Sequence, residues 1–571
     1  MIRKMFYLVC TVCLLVAAGY AVWHFVRDET GRGGKRVMGY EKAVKKLDGL
    51  VSRIDWSENF VRRRAKVRLG KAQDLKETLP PIDRFEAVVS PVPSGDDVVA
   101  EIFTSTEKSG TGTDGIMVRI ARDFNAGNLR LKDGRRVRVI IRKIASGTGY
   151  QFIASGKYRP DAFSPSSMLW VEMTAAHGVT MTPVRERMFG NIAGVVMKAG
   201  VADRLRSVYG GTDIRTLIDA VVQGNLVMGY TNPFASSTGL NFLITVLSTF
   251  AGGNPDLMLS PEVVSSFESF QRGVPFVALT TLQMRDSVEN DGALEAFVME
   301  YQTFANTPAL RSGYEFIPFG IRHDNPLYAV GEIGPEKREV LNMFASFAGG
   351  EKYRVLAGKY GFDPEMPYQP AVPLPPGSTL VRAQKIWKDK KDAGRPIAAI
   401  FLCDVSGSMR GTRLNHLKKA LIQGSEFIAP GNAIGVVLFN HRVSVVLPVK
   451  PFDLSQKAAF QAAVEDMVAD GKTAMYDGVA VSLSMLAEAR RKNPDVKPML
   501  FVLTDGETNV GLVLENMSPI IEGLNMPIYT IGYEADIGEL GKLSSLVEAA
   551  SLNAGEAEIE YKIGSLLNAQ M

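Results

Sequence analysis

Five oxygen-bearing side chains in the last third of the sequence stand where they could hold a metal ion. They are Asp404, Ser406, Ser408, Thr473 and Asp505. Carboxylate and hydroxyl oxygens are the ligands that hard cations prefer, and magnesium usually keeps some positions for water or a partner. The sequence therefore predicts a site for Mg²⁺ or for another divalent cation such as Mn²⁺ or Ca²⁺.

The segments around these residues predict that they meet. Asp404 comes directly after the apolar run 397–403, and Asp505 follows the apolar run 498–503 after one residue. Thr473 lies in a loop before a helical segment. In an open parallel sheet, residues just past the carboxyl ends of the strands converge on one crevice. We therefore expect an α/β region with this site at one edge of its sheet.

The same region lacks the partners that catalysis requires. Nucleophilic catalysis needs a nucleophile within reach of a general base, which a third group orients. His416 is predicted on the helix after Asp404, and His441 is predicted in a turn between strands. Neither is expected beside a serine of the cluster, so the sequence predicts binding and not an enzyme.

The order of these residues, DxSxS followed by a distant Thr and a distant Asp, resembles the von Willebrand factor A (VWA) domain and its metal-ion-dependent adhesion site. The resemblance covers residues 395–571 and implies a doubly wound, Rossmann-like fold that binds Mg²⁺. It implies that Ser406 and Ser408 ligate the cation directly, Thr473 in one conformational state, and Asp505 directly or through water. Asp404 would carry the required charge, and the cation would capture an acidic side chain of a protein partner.

A second group of hydroxyl residues follows strand-like runs in the middle of the chain. Its members are Ser105, Thr106, Ser146, Thr148, Ser166, Ser236 and Ser237. A helix N-terminus fronted by Ser or Thr is suited to bind an anion, but the same residues also serve as ordinary helix caps. The glycine-rich segment 109–115 lacks the Gly-Lys-Ser/Thr ending of a nucleotide-binding loop, so nucleotide hydrolysis is not expected.

The segments ASGTGYQFIASGKYRPDAFSPSSMLW and TNPFASSTG resemble extracellular solute-binding proteins of bacterial uptake systems, nearest to the branch of sulfate and molybdate binders. The resemblance covers residues 96–366. It implies two α/β lobes that close on a small solute or oxyanion, with the seven hydroxyl residues as candidates for the cleft.

The N-terminus predicts a membrane anchor. Residues 5–26 carry no formal charge, and as a helix they would span roughly 33 Å, enough for the apolar core of a bilayer. A cleaved signal peptide is the alternative. Cys10 and Cys13 fall in this span and Cys403 in a buried strand, so no disulfide framework is expected.

Charge is concentrated beside that anchor. Residues 27–76 hold 15 Lys and Arg against 7 Asp and Glu, a net +8, whereas residues 77–571 sum to −6. Nothing in the bulk of the chain therefore indicates nucleic-acid binding. The basic arm 27–95 is predicted to be largely helical, either a solvated helix or a surface held against anionic lipid.

Two Pro-rich stretches divide the rest of the chain. One lies near residue 90, and the other, 367–394, is predicted to be a stiff linker. The basic residues after the span favour a cytoplasmic body, but a solute-binding domain works outside the membrane. We therefore predict a single-pass protein of the cell membrane with an extracytoplasmic body. It would be a receptor or scaffold for a solute and a protein partner; the alternative is a component of an uptake transporter, docked through its VWA domain.

Overall fold

The computed structural model describes residues 38–67, 79–92, 95, 97–274, 276–278, 284–285, 294–363, 368–370, 372–429, 431–506, 508–533, 537–546, 551–554 and 559–571. The predicted membrane span 5–26 lies outside these residues, together with Cys10 and Cys13. Within the described part of the chain, no helix combines the length and the apolar character needed to cross a membrane.

The middle region, residues 79–363, contains two separate sheets. The first has the strand order β2-β4-β3-β5-β12-β6 and the second the order β11-β7-β10-β8-β9. Their bounds are β2 Ala87–Val89, β3 Val98–Thr104, β4 Val137–Lys143, β5 Ala162–Ser164, β6 Met181–Arg185, β7 Ala193–Lys198, β8 Met228–Thr231, β9 Phe276–Ala278, β10 Ala296–Glu300, β11 Tyr314–Pro318 and β12 Leu327–Val330.

Helices pack around both sheets and complete two α/β lobes. They are α2 Ile116–Ala126, α3 Ser146–Ser155, α4 Met168–Ala176, α5 Ala199–Tyr209, α6 Ile214–Val222, α7 Ser237–Phe250, α8 Pro261–Arg272, α9 Tyr301–Ala305, α10 Pro308–Arg311, α11 Pro335–Ala348 and α12 Glu351–Lys359. The chain passes from the first lobe to the second after β6 and returns before β12. The mixed α/β class predicted for this region is confirmed.

The C-terminal region, residues 397–571, is built on a seven-stranded sheet of order β1-β15-β14-β13-β16-β17-β18. The strands are β1 Trp56–Glu58, β13 Ile397–Asp404, β14 Ala433–Phe439, β15 Val443–Pro451, β16 Lys497–Thr504, β17 Ile528–Tyr533 and β18 Ser551–Ala554. The helices are α14 Thr412–Gly424, α15 Leu454–Glu465, α16 Met475–Lys492, α17 Leu514–Leu524, α18 Ile537–Ser545 and α19 Ile559–Gln570.

Separate hydrophobic clusters cover the two faces of this sheet. All eight residues of β13 are buried, as expected for a central strand that is covered on both sides. Strands β13, β14, β16, β17 and β18 run parallel, and β15 is antiparallel to β14. This is the doubly wound arrangement expected from the apolar runs.

Part of the basic arm belongs to the C-terminal region. Helix α1, Tyr40–Val51, buries Ala43 and Leu47 against that region's core, and β1 pairs in parallel with β15. The sequence predicted this helix correctly, but it predicted either solvent or anionic lipid as the surroundings of the helix. The structure differs because the apolar stripe of α1 packs on protein, between α16 and α17.

The predicted linker also contains an ordered helix, α13, Gly377–Lys390. It contacts α4 of the first lobe and α7 and α8 of the second. Leu380, Ala383 and Trp387 are fully buried in the core of the middle region, because their spacing places them on one face of the helix. The Pro-rich stretch is therefore followed by a helix that bridges both lobes.

Candidate functional site

The predicted metal site lies where β13 and β16 end. These two strands are parallel neighbours, with Cys403 opposite Leu503. Asp404 is the last residue of β13, and Asp505 comes directly after β16. The sheet register thus brings both carboxylates to the same edge, as the sequence predicted.

Hydrogen bonds link four of the five predicted residues into a series. The Asp404 Oδ1 accepts from the Ser406 backbone N–H at 2.7 Å, and the hydroxyls of Ser406 and Ser408 are 3.0 Å apart. The Ser408 hydroxyl donates to Asp505 Oδ1 at 2.8 Å. Asp404 and Ser406 are buried, whereas Ser408 is exposed, so the series reaches the surface at Ser408.

The carboxyl group of Asp404 is shielded from solvent. Burial raises the pKa of its carboxyl, the hydrogen bonds from Thr504 and Ser406 partly oppose this effect, and the charge of Asp505 adds to it. The Thr504 hydroxyl donates to Asp404 Oδ2 at 2.5 Å. A buried carboxylate of this kind is stabilised by a nearby cation.

Thr473 lies in the adjoining loop and is buried. The loop contacts the serine segment, because the Gly407 N–H donates to the Gly471 carbonyl at 2.9 Å. The side chain of Asn509 accepts from the Thr473 N–H at 3.0 Å, and the Asn509 N–H donates to the Thr473 carbonyl at 2.9 Å. Asn509 therefore holds this loop, a role that sequence reasoning missed.

Arg413 is a second residue that the sequence did not indicate. Its guanidinium donates to Asp505 Oδ2 at 2.8 Å, and the Asp505 side chain is fully buried. Arg413 reaches the site from the first turn of α14. Asp505 thus uses one oxygen for Ser408 and the other for this ion pair.

The residues present fit a hard divalent cation. Two carboxylates and the serine hydroxyls converge, with the Thr473 loop beside them, and all are oxygen donors of the kind that Mg²⁺ takes. Among the described residues, no group of three or more His, Cys, Asp or Glu side chains is placed to hold a metal. Any metal here would depend on hydroxyls to complete its ligands.

The second candidate site lies between the lobes of the middle region. Ser166 follows β5, and its N–H donates to the Ser146 hydroxyl oxygen at 3.2 Å. Across the lobes, Trp170 Nε1 donates to the Ser237 hydroxyl at 2.8 Å. At Gly147 the lobes approach so closely that a Cβ would lie 2.0 Å from the Phe234 carbonyl oxygen. The cleft is therefore closed.

The other predicted cleft residues have varied surroundings. Ser236 caps α7, because its hydroxyl accepts from the Gly239 N–H at 3.3 Å, which is the ordinary capping role. Ser105 and Thr148 are buried, and Thr106 is half-buried at the start of a short 3₁₀ turn. The predicted cleft residues thus differ in burial and in contacts, and Ser236 serves in part as the cap of its own helix.

Charged residues that the sequence did not single out also lie in this cleft. The Ser166 hydroxyl donates to Glu107 Oε2 at 3.3 Å. Lys108 is fully buried, and its ammonium donates to the Pro165 carbonyl at 3.0 Å and to Asn325 Oδ1 at 3.2 Å. In the sequence, Glu107 and Lys108 are marked only by their position directly after Ser105 and Thr106.

Glu300, at the end of β10, supplies a second carboxylate. It accepts from Asn191 Nδ2 at 2.8 Å and from the Thr238 hydroxyl at 3.4 Å. His323 Nδ1 lies 2.9 Å from Glu300 Oε1, and both side chains are buried. This carboxylate is therefore held by donors from the second lobe and from the segments that join the lobes.

Burial and mutual repulsion alter the protonation of this cluster. Burial, together with the charge of Glu300, raises the pKa of Glu107 to about 7. Burial lowers the pKa of Lys108 to about 7, although the charges of Glu107 and Glu300 oppose that effect. Both groups therefore titrate near neutral pH.

Two segments of the chain match models of known families. Residues 109–363 match the bacterial extracellular solute-binding protein family, and residues 399–507 match the von Willebrand factor type A domain family. The chain carries one domain of each family. The solute-binding domain contains the two lobes and their cleft, and the VWA domain contains the candidate metal site. Solute-binding domains of this kind fit a small solute or oxyanion, and VWA domains commonly mediate protein interactions.

Curated relatives match over the length of about one domain. The inter-alpha-trypsin inhibitor heavy chain H3 of Bos taurus is 29% identical over 150 residues, which cover 24% of this chain and 16% of that protein. An uncharacterised protein of Synechocystis is 26% identical over 150 residues, with 25% and 34% covered. The chain thus spans between about a sixth and a third of these relatives' length.

Solved structures resemble either domain. The sulfate-binding protein SubI from Mycobacterium tuberculosis has 15% identity and a TM-score of 0.34, covering 51% of this chain and 97% of that one. The periplasmic molybdate-binding protein of Azotobacter vinelandii has 17% identity and a TM-score of 0.31, covering 47% and 100%. A von Willebrand factor type A protein from Catenulispora acidiphila has 19% identity and a TM-score of 0.28, covering 30% and 42%.

Proposed function

We propose that this protein is a membrane-anchored, extracytoplasmic receptor or scaffold. It binds a small solute in the cleft of its solute-binding domain and a protein partner through a Mg²⁺-dependent site in its VWA domain. The observation that carries the proposal is the hydrogen-bonded series from Asp404 to Asp505 at one edge of the VWA sheet. The solute-binding family suggests an extracytoplasmic location, and the anchor would be the predicted span 5–26.

The side chains of this protein would supply the charge and most of the oxygen ligands at the metal site. Asp404 and Asp505 would hold the charge of the cation, and Ser406, Ser408 and Thr473 would offer hydroxyl oxygens. A bound Mg²⁺ would supply an electrophilic centre for a carboxylate of the partner. Because Arg413 already pairs with Asp505, the negative charge of the site is limited, which favours capture of an anionic group.

The metal site and the contacts between the two domains lie at different ends of the VWA sheet. Contacts between the two domains lie at the opposite end of the VWA sheet, where Lys497 begins β16 and its ammonium is 3.2 Å from Asp392 Oδ1. Lys388 of α13 also lies over the Phe427 ring, 5.7 Å from its centroid. Eight residues of strand separate the two ends by roughly 23 Å. These described contacts therefore lie about the length of one strand from the metal edge.

Thermal unfolding of the full chain tests both halves of the proposal. Mg²⁺ should raise the unfolding temperature of EDTA-treated protein, because a ligand that binds only the native state stabilises it. A solute of the correct class should raise it independently. Asp404→Ala should abolish the response to Mg²⁺ and spare the response to the solute.

The matched control for that variant is Asp470→Ala, because Asp470 is an exposed residue that pairs with Arg410 on the surface. It should leave both responses unchanged. If Mg²⁺ has no effect on the wild-type chain, the metal-dependent half of the proposal fails; if no class of solute has an effect, the receptor half fails.

A further inference from the structure

Two protein carboxylates accept hydrogen bonds from hydroxyls at the starts of two helices beside the interlobe cleft. Glu107 contacts Ser166, which directly precedes the N-cap residue Ser167 of α4. Glu300 contacts Thr238 in the first turn of α7. Helix N-termini attract negative charge, and in this chain each of these two is fronted by a glutamate. Two hydroxyls that could donate to an oxyanion therefore already donate to carboxylates of the protein.

Buried hydroxyls around the same loops add groups that can accept or donate a hydrogen bond. Thr104 and Ser164 are neighbours at the ends of β3 and β5 and have no exposed surface. Within the described part of the chain, neither hydroxyl oxygen has a hydrogen-bond partner. Buried polar groups without a partner are uncommon in native structures, which indicates that a ligand or water completes them.

The positive groups nearby do not reverse this charge. The Lys108 ammonium is directed to the Pro165 carbonyl and to Asn325, and His323 is held at Glu300. Each therefore donates to an acceptor of the protein. Two carboxylates, those of Glu107 and Glu300, therefore stand against the one ammonium of Lys108.

We infer that the solute of the interlobe cleft is a small organic cation of the ammonium or guanidinium type, and not an oxyanion. This inference rests on the proposed function, because it assigns the substrate class of the same cleft. A cation would place its N–H groups against Glu107 and the buried hydroxyls. An oxyanion would instead meet two carboxylates of like charge in a closed, desolvated site, where such repulsion is weakly screened.

The affinity of the cleft for a cation should rise with pH. Raising the pH through about 7 ionises Glu107 and removes the charge of Lys108, and Glu300 and His323 are the other titratable groups that face them. Both changes make the cleft more negative. If binding requires an ionised Glu107, the fraction of competent protein rises about tenfold between pH 6 and pH 8, and the affinity for a cation rises with it. The affinity for an oxyanion would fall.

Calorimetric titration of the full chain at pH 6, 7 and 8 tests the inference. The cationic probes are guanidinium, tetramethylammonium and putrescine, and the opposing probes are sulfate, molybdate and a neutral sugar. We expect at least one cation to bind, about tenfold more tightly at pH 8 than at pH 6. Binding of sulfate, molybdate or the sugar, with no cation bound, overturns the cation class and leaves the receptor function standing. Binding of no probe contradicts the receptor function itself.

Glu107→Gln assigns the effect to one side chain. The amide keeps the size of the residue and can still accept from Ser166, but it carries no charge. We expect the variant to lose at least tenfold in cation affinity and to lose the pH dependence. Glu332→Gln, at an exposed position after β12, is the matched control and should bind as wild type does. The unfolding temperature of each variant without solute checks folding, and unchanged binding by a folded Glu107→Gln would overturn the inference.

Discussion

Asn509 positions part of the candidate metal site although it is not one of the proposed ligands. Its side chain and its backbone both bond to Thr473, so the position of the Thr473 loop depends on it. Asn509 is itself exposed, and neither composition nor motif spacing marks it. Its role becomes visible only when the loops after β16 and before α16 are placed side by side.

We predict that Asn509→Ala weakens Mg²⁺ binding without removing a ligand. The Thr473 N–H loses its acceptor, which costs about 1 kcal/mol of stability, and the loop becomes freer to move. Calorimetric Mg²⁺ titration of the full chain should show a weaker affinity, which Asn509→Asp should largely restore because the carboxylate oxygen still accepts. Equal affinities in all three proteins would show that Asn509 has no such role.

At this scale the sequence predicted which of the proposed metal residues lie together, but it did not predict the surroundings of the cleft residues. Asp404, Ser406, Ser408 and Asp505 follow apolar strands directly, so parallel pairing is enough to bring them together. In the cleft, hydroxyls such as Ser236 also cap helices, and type and position alone cannot separate the two roles. Glu107 is half-buried and Lys108 is buried, and the contacts that cover Lys108 come from residues that are distant in sequence.

Helix α1 is an element whose packing partner the sequence did not predict. Its apolar periodicity predicted a helix correctly, but periodicity does not say what covers the apolar face. Ala43 and Leu47 are fully buried in the VWA domain, and β1 extends the sheet beyond β15. The segment next to the predicted anchor is therefore tied into the VWA domain by packing and by strand pairing.

We predict that Leu47→Ala destabilises the attachment of α1 by about 2–4 kcal/mol, the usual cost of truncating a fully buried leucine. Hydrogen exchange at the backbone amides of α1 and α17 should become faster, because these helices pack together. Lys46→Ala, at the neighbouring exposed position, is the control and should exchange as wild type does. Unchanged exchange in Leu47→Ala would mean that α1 does not depend on this contact.

Helix α13 is the second element that the sequence described only in part. Trp387 is fully buried, its Nε1 donates to the Tyr230 hydroxyl at 2.6 Å, and Gln384 donates to the Pro233 carbonyl at 2.8 Å. These contacts fix α13 to the second lobe, while its contact with α4 fixes it to the first.

We predict that Trp387→Phe lowers the stability of the solute-binding domain by about 1–3 kcal/mol. The change removes the hydrogen bond to Tyr230 and leaves part of the buried volume unfilled. Thermal unfolding of the full chain should report a lower transition temperature. Trp56→Phe, in the exposed strand β1, should have little effect, and a similar small effect of Trp387→Phe would contradict a structural role for α13.

Across the whole molecule, α13 offers a physical connection between the two sites. It bridges both lobes and leads into Asp392, which pairs with Lys391 at 2.7 Å and with Lys497 at the start of β16. Strand β16 ends beside Asp505 at the metal site. A change in lobe closure would therefore act on a rigid strand that leads to the metal edge.

We predict that the solute and Mg²⁺ affect each other's affinity by about fivefold or more, corresponding to a coupling free energy of about 1 kcal/mol. Calorimetric titration of one ligand, with and without a saturating amount of the other, measures this coupling, and the two directions must give the same factor. Identical affinities in the two conditions would show that the domains are joined but independent.

Titration of Mg²⁺ into the EDTA-treated full chain tests most directly whether the oxygen cluster at the edge of the VWA sheet binds a divalent cation. We expect saturable binding by the wild type and a loss of at least tenfold in affinity for Asp404→Asn, which keeps the shape of the side chain but removes its charge. Asp470→Ala should bind as wild type does. A wild-type chain that takes up no Mg²⁺, or an Asp404→Asn variant that binds it equally well, would contradict the account.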